Sequence, residues 1–400
     1  MMRRLGLVIS VSVAACGGDD GGSGDPDAAA DGDPGGDGAP CERIGLPRSG
    51  PRFGVVSFPY TAAGENANTY RLFTLDETGS TITLSGATFE MGRSTIGTIA
   101  FTPDGELGFV AQEDGSLGVF RLSGAQVEVL HARFQGSFYA DRLVMGALGQ
   151  YLYVVDPNTR ENGGGIYRVR IGCDDAISDE GPWLAGSSLG DPLFDDGRLV
   201  IPARELGGTS PAGESVHLVD VRESTPARVT GVDAFGDDMA IFGGAALTGD
   251  GRFALVGDNQ GVFQVPNRVA VVERIADTLT ARQVLTPIED PLSIIMSPFD
   301  DAALVVSGFG DAFIALDHDP EAAMPFSVRG QVAYAGARPE LPGNAVLIEY
   351  GSLRGLVLVP ENLGIRRVRF AAGGTITDLG KTATGASGYE NITGALGIQP

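Results

Sequence analysis

Short apolar stretches recur along the chain in pairs, the two members of each pair separated by a loop. GFVAQ is followed by LGVFRL, LYVVD by IYRVRI, RLVIPA by SVHLVDV, FALVGD by RVAVVERI, and ALVVSG by AFIALD. Their β-branched content and partial period-two alternation predict strands. Ahead of each pair stands a further short apolar strand and then a turn marker: Gly50, Asp104-Gly105, Gly149, Asp196-Gly197, Asp250-Gly251, Asp300-Asp301 and Gly351. The markers fall about 45 to 55 residues apart, the length of one four-stranded unit. Asp-Gly suits a two-residue hairpin, whose central residues need positive φ. A weaker fourth strand ends each unit, and no segment holds a helical period over three turns. Seven markers predict seven units.

The last ten residues, Asn391 to Pro400 (NITGALGIQP), read like the first strand of such a unit. They compare with IGTIAFTPDG at Ile96 to Gly105 and AALTGDG at Ala245 to Gly251, and the text that would continue them, GPRFGVVSF, lies at Gly50 to Phe58. A unit whose first strand comes from the opposite end of the chain describes a closed ring, and the common ring built this way is a β-propeller. An antiparallel sandwich would have no need of the match. The expected fold class is therefore all-β, a seven-bladed β-propeller over residues 41–400. Gly394 to Pro400 is its clasp, the innermost strand of the blade completed by Phe53 to Phe89.

Residues 1–15 read as a lipoprotein signal peptide. Arg3 and Arg4 form a positive start, and the apolar Leu5 to Val13 is too short to span a bilayer as a mature helix. Val13-Ala14-Ala15-Cys16 resembles the bacterial lipobox, which makes Cys16 the expected lipidation site. Residues 16–40 continue as a Gly- and Asp-rich tether without a large hydrophobe, a composition that stays extended and unfolded. Attachment to a membrane is thus expected through the lipid alone. The expected place is the bacterial cell envelope, outside the cytoplasm. Gly17 after the cysteine resembles an outer-membrane sorting signal.

Export changes the meaning of Cys41 and Cys173, the two other cysteines. In an oxidising compartment they are expected to form a disulfide pinning the lead-in, Cys41 to Pro51, against the third blade. The net charge is −23; setting aside the seven tether aspartates and the two N-terminal arginines leaves −18 for residues 41–400. Such a surface repels phosphate backbones, so nucleic acid is excluded as a partner. Nearly all the basic residues are Arg, Lys381 being the sole lysine.

The single tryptophan, Trp183, excludes the Trp-Asp blades of WD40 propellers and the Trp-bearing repeats of quinoproteins and sialidases. Phe101-Thr102-Pro103-Asp104-Gly105, Ser297-Pro298-Phe299-Asp300, Tyr153-Val154-Val155-Asp156 and Ala312-Phe313-Ile314-Ala315-Leu316-Asp317 resemble the repeats of the YVTN, or lactonase-like, seven-bladed superfamily. The likeness covers residues 50–400 and concerns blade construction. It implies a fold, and its members range from sugar-lactone hydrolases to envelope proteins.

The histidines carry no catalytic pattern. The three are His131, expected in a loop between blades, His217 in an alternating strand and His318 in an acidic turn; none stands in a nucleophile elbow, and H-E-x-x-H does not occur. Asp317-His318-Asp319 reads as turn chemistry, since adjacent turn positions seldom converge on one metal. Asp195-Asp196, Asp237-Asp238 and Asp300-Asp301 read as hairpin residues. No metal site and no cofactor are expected.

Loop length carries more. Connections between second and third strands open on the same face as the crossings between blades. Two are short, Gln112 to Ser116 and Ser307 to Asp311. Four are long: Tyr60 to Asn68, Asp156 to Gly165, Ala203 to Ser215 and Asp258 to Asn267. Long loops on a rigid scaffold are where recognition residues are placed. Those of blades three to five are consecutive, and their candidates are Arg160, Glu161, Asn162, Arg204, Glu205, Asn259, Gln260 and the apolar Phe263. The expected function is a monomeric binding or scaffold module for an envelope protein or a glycan. A lactone-type hydrolase working over the central channel is the alternative.

Overall fold

The computed structural model describes residues 41–45, 50–59, 68–157, 164–207, 213–236, 242–259, 266–384 and 394–400. Residues 1–40, with the expected signal peptide, lipidation site and tether, lie outside them. The described chain is all-β, interrupted only by a short 3-10 turn at Gly351–Leu353.

Five sheets have four strands each. The first joins β1 (Arg52–Phe58), β2 (Thr69–Leu75) and β3 (Ile82–Glu90) to the chain's last strand, β28 (Leu396–Ile398). The second is β4 (Ala100–Phe101), β5 (Leu107–Ala111), β6 (Leu117–Ser123) and β7 (Gln126–Phe134). The expected fifth unit is β16 (Phe242–Leu247), β17 (Phe253–Asp258), β18 (Arg268–Ile275) and β19 (Thr278–Leu285). The sixth is β20 (Pro291–Met296), β21 (Ala302–Ser307), β22 (Ala312–His318) and β23 (Phe326–Gln331); the seventh is β24 (Val346–Ile348), β25 (Leu356–Glu361), β26 (Gly364–Ala371) and β27 (Thr375–Ala383).

Units three and four do not separate. They share one eight-stranded sheet of β8 (Arg142–Met145), β9 (Tyr151–Asp156), β10 (Gly165–Ile171), β11 (Ile177–Leu189), β12 (Leu193–Asp195), β13 (Arg198–Leu206), β14 (Val216–Asp220) and β15 (Ala227–Val232). The joint is β11: its first part pairs with β10, and Gly186–Leu189 pairs with Ala203–Leu206 of β13. The segment expected as a loop from Ala203 therefore remains strand as far as Leu206.

Local turn chemistry explains the regular spacing. φ is positive at every marker: at Gly50, Gly105, Gly149, Gly251, Asp300 and Gly351, and at both Asp196 and Gly197. In the second unit Thr102 donates to Asp104 at 2.5 Å, Asp104 accepts the Glu106 amide at 2.9 Å, and Thr102 accepts the Leu107 amide at 3.0 Å. Thr248 and Asp250 repeat the arrangement. Burial works against the Asp250 charge, but the Thr248 hydroxyl and the Arg252 amide outweigh it and hold the pKa below the usual carboxylate value.

Packing between sheets closes the ring. Seven buried clusters each span two successive units, as where Leu107 and Phe109 of unit two meet Leu152 and Val154 of unit three. The last of them joins Leu356 and Leu358 of unit seven to Val56 and Phe73 of unit one. The clasp contributes to both flanks of unit one, Ala395 facing unit two and Leu396 with Ile398 facing unit seven. β28 pairs antiparallel with β1, and the Ile99 amide donates to the Leu396 carbonyl at 2.9 Å. The inner strands approach closely: a Cβ on Gly397 would sit 2.4 Å from the Ile99 carbonyl, and one on Gly243 would sit 2.1 Å from that of Pro291.

Two faces follow from the connectivity. Turns between first and second strands, and between third and fourth, form a hairpin face. Loops between second and third strands, with the crossings from sheet to sheet, form the opposite crossing face. The lead-in lies on the hairpin face. Cys41 and Cys173 form a disulfide with a Cα–Cα distance of 4.8 Å, Cys173 standing in the β10–β11 turn. Buried Arg43 donates its amide to the Leu148 carbonyl at 2.8 Å and its guanidinium to Gly172 at 3.1 Å, and it pairs with Asp175 and, at 3.5 Å, Asp104.

Candidate functional site

On the crossing face, at the inner ends of units three to five, one arginine links three units. Arg142 opens β8. Its guanidinium donates to Asp191 at 3.0 Å, to the Phe242 carbonyl at 3.2 Å and to the Gly243 carbonyl at 3.3 Å, and it lies 3.4 Å from the Asp141 carboxylate. This reach exists because β12 begins only at Leu193, which leaves Asp191 ahead of it to face Arg142 and to accept the Ala245 amide at 3.2 Å. Burial opposes the Arg142 charge, but Asp191 and then Asp141 outweigh it and raise the pKa. Side-chain exposures of 29%, 37% and 39% for Arg142, Asp191 and Asp141 leave the trio open to a ligand. It can offer charge-assisted hydrogen bonds of both signs from a positioned arginine.

Of the residues expected at the rim, Arg160, Glu161, Asn162, Gln260 and Phe263 lie outside the described residues. Arg204 and Glu205 stand in β13, where Glu205 accepts a hydrogen bond from Ser187 at 3.2 Å. Asn259 comes to the mouth. Its amide packs on Gly243, the residue whose carbonyl Arg142 holds, and its Oδ1 is buried with no partner among the described residues.

The histidines lie elsewhere. His131 is in β7 and lines an open groove of about 660 Å³ with Glu90 and Arg133, so the expected inter-blade loop there is strand. His217 is fully buried. Its Nε2 donates to the Ala203 carbonyl at 3.0 Å, while Arg228 points a donor at Nδ1 from 3.4 Å, an arrangement that needs the neutral ring. Burial foremost lowers its pKa. His318 donates from Nδ1 to the Asp300 carbonyl at 2.6 Å and stacks on Phe326, while Asp317 pairs with Arg329 and Asp319 accepts the Glu321 amide. The three members of that run serve three different partners. Asp301 accepts the Gly373 and Gly374 amides, and Asp195 pairs with Arg274, as hairpin residues; Asp237 and Asp238 lie outside the described residues. No group of three or more His, Cys, Asp or Glu is placed to hold a metal ion among the described residues.

No protein-family model and no curated protein matches the sequence. Solved structures do match. A periplasmic gluconolactonase of Pseudomonas aeruginosa aligns at a TM-score of 0.59 with 15% identity, over 87% of this chain and 99% of that one. Proteins of Bacteroides uniformis and Bacteroides fragilis, each provisionally assigned as a 6-phosphogluconolactonase, align at 0.61 and 0.59 with 11% and 12% identity, over 87% of this chain and 99% and 98% of theirs. The fold is a lactonase-like β-propeller. Identities this low speak for the fold alone.

In propeller terms the Arg142 trio stands at one mouth of the central channel. On the hairpin face, Ile99, Phe101, Val346, Ile348 and Ile398 line a cavity of about 200 Å³ together with Arg52, Glu349 and Gln399. Sequence reasoning missed Arg142 and Asp191 because their contacts cross between units and nothing local marks them. It also missed Phe309, whose side chain is 87% exposed on the crossing face. Its turn is held by Asp290, which accepts the Phe309 amide at 2.6 Å. An aromatic set between Gly308 and Gly310 in the shortest class of loop was the available signal.

Proposed function

We propose that this chain is a lipid-anchored seven-bladed propeller of the bacterial cell envelope that binds an envelope protein or a glycan on its crossing face. The eight-stranded sheet is read as two blades joined through β11, which with the five four-stranded sheets makes seven. The observation that carries the binding reading is the Arg142 trio: an arginine held across three units, flanked by two solvent-reachable carboxylates, with none of the three histidines beside it. Such a group recognises hydroxyl, carboxylate or amide groups without needing to react with them. Phe309 adds an apolar anchor on the same face. The test is capture of envelope proteins and glycans by the acylated chain and by the Arg142→Ala and Phe309→Ala variants, each with its melting curve. Unchanged capture by both folded variants rules the face out.

Lactone hydrolysis is the second reading, favoured by the likeness to a gluconolactonase and by the two carboxylates beside Arg142. Asp141 or Asp191 would take a proton from water as its oxygen attacks the lactone carbonyl, Arg142 would stabilise the developing oxyanion, and as the ring C–O bond breaks the same carboxyl would return the proton to the leaving ring oxygen, giving the hydroxy acid. Turnover of a lactone panel that disappears in Asp191→Asn would put this reading first.

A further inference from the structure

We infer that the hairpin face rests on a zwitterionic lipid bilayer surface, so that the mouth with Arg142 and Phe309 points away from the membrane. This rests on the anchored reading above and on two features of the described residues. The first is where the lead-in is fastened. Cys41 is bonded to Cys173 and Arg43 to the Leu148, Asp104 and Gly172 turns, so the forty preceding residues join the domain on the hairpin face.

The second is where the exposed apolar side chains lie. Of eleven large exposed ones among the described residues, six stand on that face: Ile44 (65%), Leu148 (44%), Ile275 (60%), Phe299 (37%), Met324 (70%) and Tyr350 (60%). Two, Ile96 and Phe309, are on the crossing face, and the remaining three are on outer strands. A single exposed apolar residue needs no explanation. Six on one face, on the lead-in and the turns of units three, five, six and seven, can enter the headgroup boundary at their turns without moving a strand. An exposed tyrosine suits that depth.

Charge selects the lipid. The domain's −18 would repel an anionic surface and favours a net-neutral one such as phosphatidylethanolamine; on this face Asp104 and Asp175 are matched by Arg43, Asp195 by Arg274 and Asp317 by Arg329, while Asp76, Asp174 and Asp301 accept from hydroxyl or amide groups. The tether composition corresponds to a root-mean-square reach of about 27 Å for 24 residues, so docking acts at millimolar effective concentration and weak contacts suffice.

The test uses the full acylated chain on phosphatidylethanolamine vesicles whose acyl chains carry bromine, a contact quencher of tryptophan. Tyr350→Trp and Leu148→Trp report on the hairpin face and Phe309→Trp on the other, with the native Trp183 as a common background. Because interfacial side chains sit ~5–10 Å into the boundary, the added fluorescence should fall about twofold at positions 350 and 148 and stay unchanged at 309. The Cys16→Ser chain should fail to float with vesicles. A Cys16-bearing chain that also fails to float overturns the anchor and this inference with it. A chain that floats without quenching at 350 and 148, or with quenching at 309 instead, overturns the orientation alone. Self-association that buries positions 350 and 148 in a dimer also overturns it, assigning the face to a second copy.

Discussion

Leu396 tests the ring most sharply, because one side chain of the clasp can be shortened without touching the backbone. It is fully buried, packs where unit seven meets unit one, and its carbonyl accepts the Ile99 amide from unit two at 2.9 Å. Leu396→Ala leaves a cavity in a layer that has inner strands on both sides and little room to collapse, so the cost should be about 3 kcal/mol, within the ~2–5 kcal/mol span for such changes. An unfolding entropy of about 2.1 cal/mol/K per residue, over roughly 360 residues, comes to ~0.75 kcal/mol/K, and the expected fall in Tm is about 4 °C. Leu148→Ala, at a side chain 44% exposed on a hairpin, is the matched control and should shift Tm by under ~1 °C. The assay is calorimetry of both variants beside the wild type. Deleting Asn391 to Pro400 should do more, since it bares the inner edge of β1 that β28 now covers. A Leu396→Ala protein that melts within a degree of wild type would refute the closure argument.

Removing both cysteines as Cys41→Ser/Cys173→Ser should cost about 2–5 kcal/mol, because the bond closes a separation of 132 residues; denaturant midpoints with and without reductant check it. Arg366→Met should cost about 3–5 kcal/mol, because buried Asp378 loses its paired cation and buried Glu361 keeps only Lys381, read from the same midpoints. The folded-state pKa of His217 lies below 6.5, so the unfolded chain takes up the proton first as pH falls and stability should drop from about pH 6.5 downward. His217→Gln keeps a donor for Ala203 and should flatten the Tm profile in that window; an unchanged slope removes His217 as its cause.

The parts of this fold that were legible in the sequence are those written in local chemistry. Thr102-Pro103-Asp104-Gly105 and Thr248-Gly249-Asp250-Gly251 specify their turns within four residues, and positive φ at every marker follows from that chemistry. The clasp was legible for a related reason: Leu396 and Ile398 match the apolar pattern of a first strand, and only one exposed edge, that of β1, was left to receive them. Pairing that depends on distant partners was not legible. Ala185-Gly186-Ser187-Ser188 lacks alternation and β-branched residues, yet it continues β11 because Ala203–Leu206 offers an edge. Burial of Arg366 was equally hidden, since IRRVRF reads as a strand with a solvent face until Glu361 and Asp378 arrive from neighbouring strands.

The candidate site follows the same division, and this bears on how its function is tested. Every contact of Arg142 except that to Asp141 crosses from one unit to another, and Asp191 stands just ahead of the first strand of unit four. Repeat chemistry therefore builds the ring, whereas the mouth is made from contacts between units. A variant at the mouth perturbs binding and the packing of units three to five together. Arg142→Ala must accordingly be judged beside Phe309→Ala, whose 87% exposed side chain can be removed without loss of stability. Loss of capture in both, with Tm lowered only in the first, separates recognition by the face from collapse of its support.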